Sequence, residues 1–129
     1  MGRLVSLVVV SHSRQLAAGV AELAAQMAPA VTILAAGGLE DGGIGTSFDA
    51  VQAALEQATA DGGQAVVLTD LGSAVLTTES VLEFLEPDQV ERIRLADAPL
   101  VEGAVAAAVE AENGGDGPAV AAAAEAAGA

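Results

Sequence analysis

Residues 4–27 read LVSLVVVSHSRQLAAGVAELAAQM, and the fold turns on how this stretch divides. Leu4–Val10 is apolar at nearly every position and rich in valine. A strand exposed on one face would alternate, so this run fits a strand buried on both faces, the pattern of a parallel sheet. The pattern changes after Val10. Ser13 is placed to cap a helix over Arg14–Met27, whose apolar positions Leu16, Val20, Leu23 and Met27 recur at helical spacing. Strand gives way to helix across the tripeptide Ser11-His12-Ser13, which holds the single histidine of the chain.

The same alternation runs outward from there. Val31–Ala35 is a second short strand, followed by the glycine-rich loop AAGGLEDGGIGTS. Thr46 or Ser47 caps a helix over Phe48–Thr59, with Val51, Leu55 and Ala58 on one side. Asp61-Gly62-Gly63 turns the chain into a third strand, Ala65–Thr69, and DLGSA leads to a helix over Val75–Leu85. Pro87-Asp88 breaks the chain before a fourth strand, Val90–Ala96, whose charges place it near a sheet edge. Ala98-Pro99 opens a helix over Val101–Glu112. Four strand-then-helix units predict an α/β fold: a doubly wound, mostly parallel four-stranded sheet with helices on both faces. Residues 1–112 form the expected domain, and residues 113–129 a Gly/Ala-rich tail. The tail carries a short alanine helix with Pro118 near its first position. Alanine favours helix but buries little area, which leaves this tail free to fray or to serve a partner.

Composition removes several functions. The 129 residues contain only Phe48 and Phe84 as aromatics, too few for a base- or sugar-stacking platform. There is no cysteine, hence no disulfide, thiolate metal site or thiol nucleophile, which fits a reducing compartment. The cationic residues are Arg3, Arg14, Arg92 and Arg94 against 18 acidic ones, a net charge of −14. That balance argues against nucleic acid and anionic membranes, and it favours solubility and a partner with a basic face. A genome-wide or salt-adapted bias explains the same charge. No apolar run reaches the length of a membrane span. The N-terminal apolar stretch is short and has no small-residue cleavage site behind it, so it reads as a strand of a cytoplasmic protein.

Ligands of a doubly wound sheet bind beyond the carboxyl ends of its strands, where strand order reverses. In the flavodoxin-like order the first and third strands are neighbours at that point. His12 follows the first strand and Asp70 the third, so the fold sets them side by side. His12 also stands at a helix N-terminus, where free N–H groups favour an anion. An imidazole with one nitrogen free is a nucleophile towards phosphorus, and a carboxylate on the other nitrogen fixes its tautomer. Ser11, Ser13, Ser73 and the backbone of Gly72 are available donors for phosphoryl oxygens. Local sequence leaves a second account open: a polar loop histidine beside an aspartate that merely caps a turn. The GGIGTS glycines lack G-x-G-x-x-G spacing and serve a tight turn, and without lysine there is no P-loop. One histidine with scattered carboxylates makes no zinc site. Glu40, Asp41 and Asp49 form a solvated acidic loop more readily than a cation site, so no metal is expected.

Four segments in order carry a family resemblance: LVVVSHSRQLAAGVAELAAQM, GGLEDGGIGTSFDAVQAAL, VVLTDLGSAVLTTESVLEFL and RLADAPLVEGAVAAAV. Together they resemble the DhaM phosphotransferase subunits of phosphoenolpyruvate-dependent dihydroxyacetone kinases, within the mannose-type enzyme IIA family of phosphotransferase-system (PTS) proteins. The resemblance implies a phosphohistidine at His12 Nε2, loaded by the separate phosphocarrier protein HPr. It matches Asp70 to the carboxylate on the other ring nitrogen, and Gly72 and Ser73 to the phosphate pocket. It places Thr46, in IGTS, and the APLVEG loop near the same site. It further implies transfer to ADP held on a kinase subunit, a homodimer, and no cofactor of the chain's own. Two other functions are carried alongside: a sugar-transporter IIA domain passing phosphate to a IIB domain, and a non-catalytic acidic binding module. Arg14 either steadies a phosphate or faces solvent.

Overall fold

The computed structural model describes residues 3–129; the first two positions of the expected domain, Met1 and Gly2, lie outside the described residues. Its elements are β1 (Ser6–Ser11), α1 (Arg14–Met27), β2 (Ile33–Gly37), α2 (Phe48–Ala58), β3 (Ala65–Thr69), α3 (Gly72–Leu82), α4 (Pro87–Glu91), β4 (Ile93–Leu95), α5 (Leu100–Glu112) and α6 (Gly117–Ala126). The strands form one sheet in the order β2-β1-β3-β4, and every pairing among them is parallel. Val9 pairs with Ala35 on one side and with Leu68 on the other. The fold is the doubly wound α/β arrangement that the alternation of elements predicts.

β1 lies at the centre and all six of its residues are buried. Successive side chains point to opposite faces. Leu7 and Val9 join the core shared with α1, α5 and α6, while Val8 and Val10 join the core under α2 and α3. This is why the strand reads as unbroken hydrophobic sequence: each face has its own helical layer. Among the described residues no helix is long and apolar enough to cross a membrane.

β2 and α3 are displaced from their expected ranges by two and three residues, α3 beginning at Gly72, and three other elements depart further. The buried positions of α1 are Ala17, Val20 and Ala24, whereas Leu16, Leu23 and Met27 are exposed. α1 approaches β2 too closely for large side chains: a Cβ on Gly37 would stand 2.5 Å from Ser13 O and 2.6 Å from Ala17 Cβ. The small residues therefore face the sheet. β4 spans only Ile93–Leu95, because the residues expected to begin it form α4 instead. Pro87 opens that helix, and Glu86 and Gln89 build a reciprocal capping box there, so the proline starts an element where a break was expected. The alanine tail is a packed helix. α6 packs on α5, with Val120 and Ala124 fully buried in the same core as β1 and α1. Asp116 caps it through Ala119 N–H, Gln64 accepts from Gly117 N–H at 2.8 Å, and Glu125 accepts from Asp97 N–H at 3.1 Å.

Two arginines hold the turn between α2 and β3. Arg3 Nη1 donates to the carbonyls of Ala60 and Asp61, and Arg92 Nη1 to those of Thr59 and Gly63 at 2.7 Å each. Both act at the amino-end edge of the sheet, away from the strand ends where the polar cluster described next is found.

Candidate phosphohistidine site

His12 follows β1 directly, and Asp70 follows β3 directly. Because β1 and β3 are adjacent, with Val10 opposite Thr69, the two side chains meet just beyond the sheet. His12 Nδ1 lies 2.9 Å from Asp70 Oδ1. A carboxylate can only accept, so in the neutral ring Nδ1 carries the proton and Nε2 the lone pair. Nε2 in turn is within hydrogen-bond reach of Ser73 Oγ, in the first turn of α3. With the tautomer so fixed, the serine hydroxyl is the donor.

Asp70 is the hub. Its Oδ1 also accepts from Leu71 N–H at 2.7 Å, and its Oδ2 accepts from Ser11 Oγ at 2.8 Å and His12 N–H at 2.9 Å. Burial pushes the Asp70 pKa up, but the backbone bond from His12 and the bonds from His12 Nδ1, Ser11 and Leu71 outweigh it. The carboxyl ends below its ordinary value of 3.8. It is therefore a permanent anion beside the imidazole at neutral pH. The side chains of His12 and Asp70 remain 18% and 11% exposed.

The backbone around His12 is braced from the glycine-rich loop. Gly45 N–H donates to His12 C=O at 2.8 Å, and Gly38 N–H to Ser11 C=O at 3.2 Å. Gly45 has φ 149°, a conformation that favours glycine. These glycines serve a turn, as expected, and the turn fixes the histidine.

The remaining site residues fall into two groups. Ser73 and Gly72 stand at the start of α3, which has no side-chain cap, so the first N–H groups of that helix meet no side-chain acceptor. A Cβ on Gly72 would meet nothing within 4 Å, so the space over this turn is open. Ser11, Ser13 and Thr46 each make hydrogen bonds of their own. Ser11 is fully buried and turned towards Asp70; Ser13 Oγ accepts from Leu16 N–H as the cap of α1. Thr46 Oγ1 is 2.7 Å from Thr77 Oγ1, one turn beyond Ser73 on α3. Thr77 was not foreseen; its spacing of four from Ser73 was the available signal. Arg14 is exposed, lines a shallow cleft with Gln15 and Ile44, and forms no side-chain hydrogen bond or ion pair among the described residues. Ala98, at the start of the APLVEG segment whose last four residues open α5, lines a cavity of about 390 Å³ that reaches Asp70, Gly72 and Val75. Glu40, Asp41 and Asp49 border a separate cleft, where Asp41 accepts from Gly43 N–H. Among the described residues no three His, Asp or Glu side chains are gathered as a metal site.

A parallel sheet thus carries, beyond its central strands, an imidazole oriented by a carboxylate. The family model for EIIA-man, the PTS system fructose IIA component, matches residues 6–121, and the chain belongs to this family. It is 44% identical over 117 residues to the phosphoryl donor subunit DhaM of the PEP-dependent dihydroxyacetone kinase of Escherichia coli (strain K12), covering 88% of this chain and 25% of that protein. The chain thus spans about a quarter of that longer relative. Against the phosphoryl donor subunit DhaM of PEP-dependent dihydroxyacetone kinase 1 of Listeria innocua it is 43% identical over 110 residues, 85% of this chain and 84% of the other. The DhaM subunit of the PTS-dependent dihydroxyacetone kinase of Lactococcus lactis is 38% identical, with 84% and 83% covered. The crystal structure of EF1359, a protein of unknown function, matches with a TM-score of 0.88 at 35% identity, covering 98% of this chain and 96% of that one.

Proposed function

We propose that this chain is a phosphotransferase subunit that carries a phosphoryl group on His12 Nε2. It takes the group from phospho-HPr and passes it to ADP held on a dihydroxyacetone kinase subunit. The observation that carries the proposal is the pairing of His12 Nδ1 with Asp70 at 2.9 Å, which leaves Nε2 as the free nucleophile. In the loading step the Nε2 lone pair forms a bond to phosphorus as the bond from phosphorus to the donor breaks. The Nδ1 proton stays on the ring, and the positive charge that develops there faces the Asp70 carboxylate. Ser73 Oγ turns from Nε2 to a phosphoryl oxygen, joined by the N–H groups of Gly72 and Ser73 at the start of α3. No metal or nucleotide of the chain's own is needed for these steps. A cytoplasmic setting and a pair of identical copies belong to the same proposal.

The fructose component in the family description favours a second acceptor, a IIB domain of a sugar transporter, for the same phosphohistidine. Incubation with phosphoenolpyruvate, enzyme I and HPr, followed by intact mass at neutral pH, tests the carrier role. One phosphate adduct is expected on the wild type and none on His12→Ala. A folded wild-type protein that takes no phosphate from a competent HPr refutes the proposal and leaves an acidic binding module. Adding a kinase subunit with ADP, or a IIB domain, to the loaded protein then identifies the acceptor.

A further inference from the structure

Ser11 is the last residue of β1 and is 0% exposed. Its hydroxyl proton is committed to Asp70 Oδ2 at 2.8 Å, and its oxygen accepts from Ser13 N–H at 3.0 Å. It cannot reach a group on the far side of the imidazole. Asp70 meanwhile presents its other oxygen to His12 Nδ1. Serine, carboxylate and imidazole thus form a chain in which a buried hydroxyl acts on the ring through the aspartate.

We propose that Ser11 is a positioning residue that draws negative charge towards Asp70 Oδ2, weakens Oδ1 as a proton acceptor, and so keeps a phosphoryl group on His12 easy to transfer. The inference rests on the phosphoryl-carrier reading of His12. When the phosphoryl group leaves, the N–P bond breaks and its electron pair returns to Nε2. An oxygen of water or of the acceptor bonds to phosphorus. A ring that fully retains its Nδ1 proton departs as neutral imidazole, the better leaving group. A more basic carboxylate pulls that proton away and holds the phosphoryl group more firmly. The Ser11 bond is among those that lower the Asp70 pKa, in the direction this requires.

The test uses the full chain as wild type, Ser11→Ala and Ser11→Cys, the last being near-isosteric with a weaker donor. Each is loaded through phosphoenolpyruvate, enzyme I and HPr, and the half-life of the phosphoprotein at neutral pH is read by intact mass. The Asp70 carboxyl of the unphosphorylated protein is titrated by carbon NMR. Ser11→Ala is expected to lengthen the half-life by about three- to tenfold, where tenfold corresponds to about 1.4 kcal/mol. Its Asp70 is expected to titrate at higher pH, and Ser11→Cys to fall between it and wild type. An unchanged or shorter half-life in folded Ser11→Ala overturns the proposal, as does an unmoved Asp70 titration. Should Ser11→Ala fail to fold, the same outcomes in Ser11→Cys decide. If the wild type takes no phosphate, the carrier reading has failed, and the titration alone still decides whether Ser11 acts on Asp70.

Discussion

Replacing Asp70 by asparagine keeps the volume of the side chain and removes its charge. The carboxylate accepts from four donors: Ser11 Oγ, His12 N–H, His12 Nδ1 and Leu71 N–H. Asparagine has one carbonyl oxygen, so its amide must face two of those donors with N–H groups of its own. Hydrogen bonds to a charged acceptor contribute about 1.5–3 kcal/mol each, and losses within one cluster are not additive. A net loss of about 2–4 kcal/mol follows. At about 4 °C per kcal/mol for a chain of this size, the Tm falls by about 8–16 °C. The asparagine also lets the imidazole take the other tautomer, which places the proton on Nε2. Phosphoryl acceptance from phospho-HPr should slow by about 100-fold or more. The pH profile gives a third check. The Asp70 carboxyl is lowered in the folded protein, so its contribution to stability is complete above 3.8 and is lost as pH falls through the lower folded value. The wild type loses this contribution in acid; Asp70→Asn has no such step to lose. Calorimetry across pH and rapid-quench loading measure all three. A Tm within about 2 °C of wild type, together with wild-type loading, would refute the assignment of Asp70 as the hub.

Two further perturbations test the fold that carries the site. Gly37→Ala places a methyl 2.5 Å from Ser13 O and 2.6 Å from Ala17 Cβ, and should cost about 1–3 kcal/mol in urea unfolding; a neutral result would show that α1 can move off β2 freely. Val120→Ala removes two buried carbons from α6 and should cost about 2 kcal/mol by the same measurement, whereas a fraying tail would show no change.

The order of elements was legible because strands buried on both faces are hard to mistake: Ala65–Thr69 agrees with expectation residue for residue. The His12–Asp70 pair was legible for a topological reason, since adjacency of β1 and β3 brings together whatever follows them. What escaped was packing. Leu16, Leu23 and Met27 outrank Ala17 and Ala24 in hydrophobicity, but distance to β2 decided which face of α1 turned inward. Ser11 escaped as a partner of Asp70 because its direction depends on β1 continuing one residue past Val10. Ser13 also caps a helix and Thr46 also meets Thr77, contacts that residue type alone does not reveal.

The layer formed by α1, α5 and α6 has a consequence for how ordering is achieved. Its buried helical positions are mostly alanines: Ala17 and Ala24 on α1, Ala104, Ala107, Ala108 and Ala111 on α5, and Ala124 on α6. A methyl group has no rotamers to freeze, so these contacts form without the side-chain entropy loss that leucine or methionine would bring. Each contact contributes little, yet almost none of that is cancelled. These alanine positions have little left to truncate, so their sensitivity is to enlargement: a larger residue at Ala107 should harm the layer more than glycine harms an ordinary exposed helix.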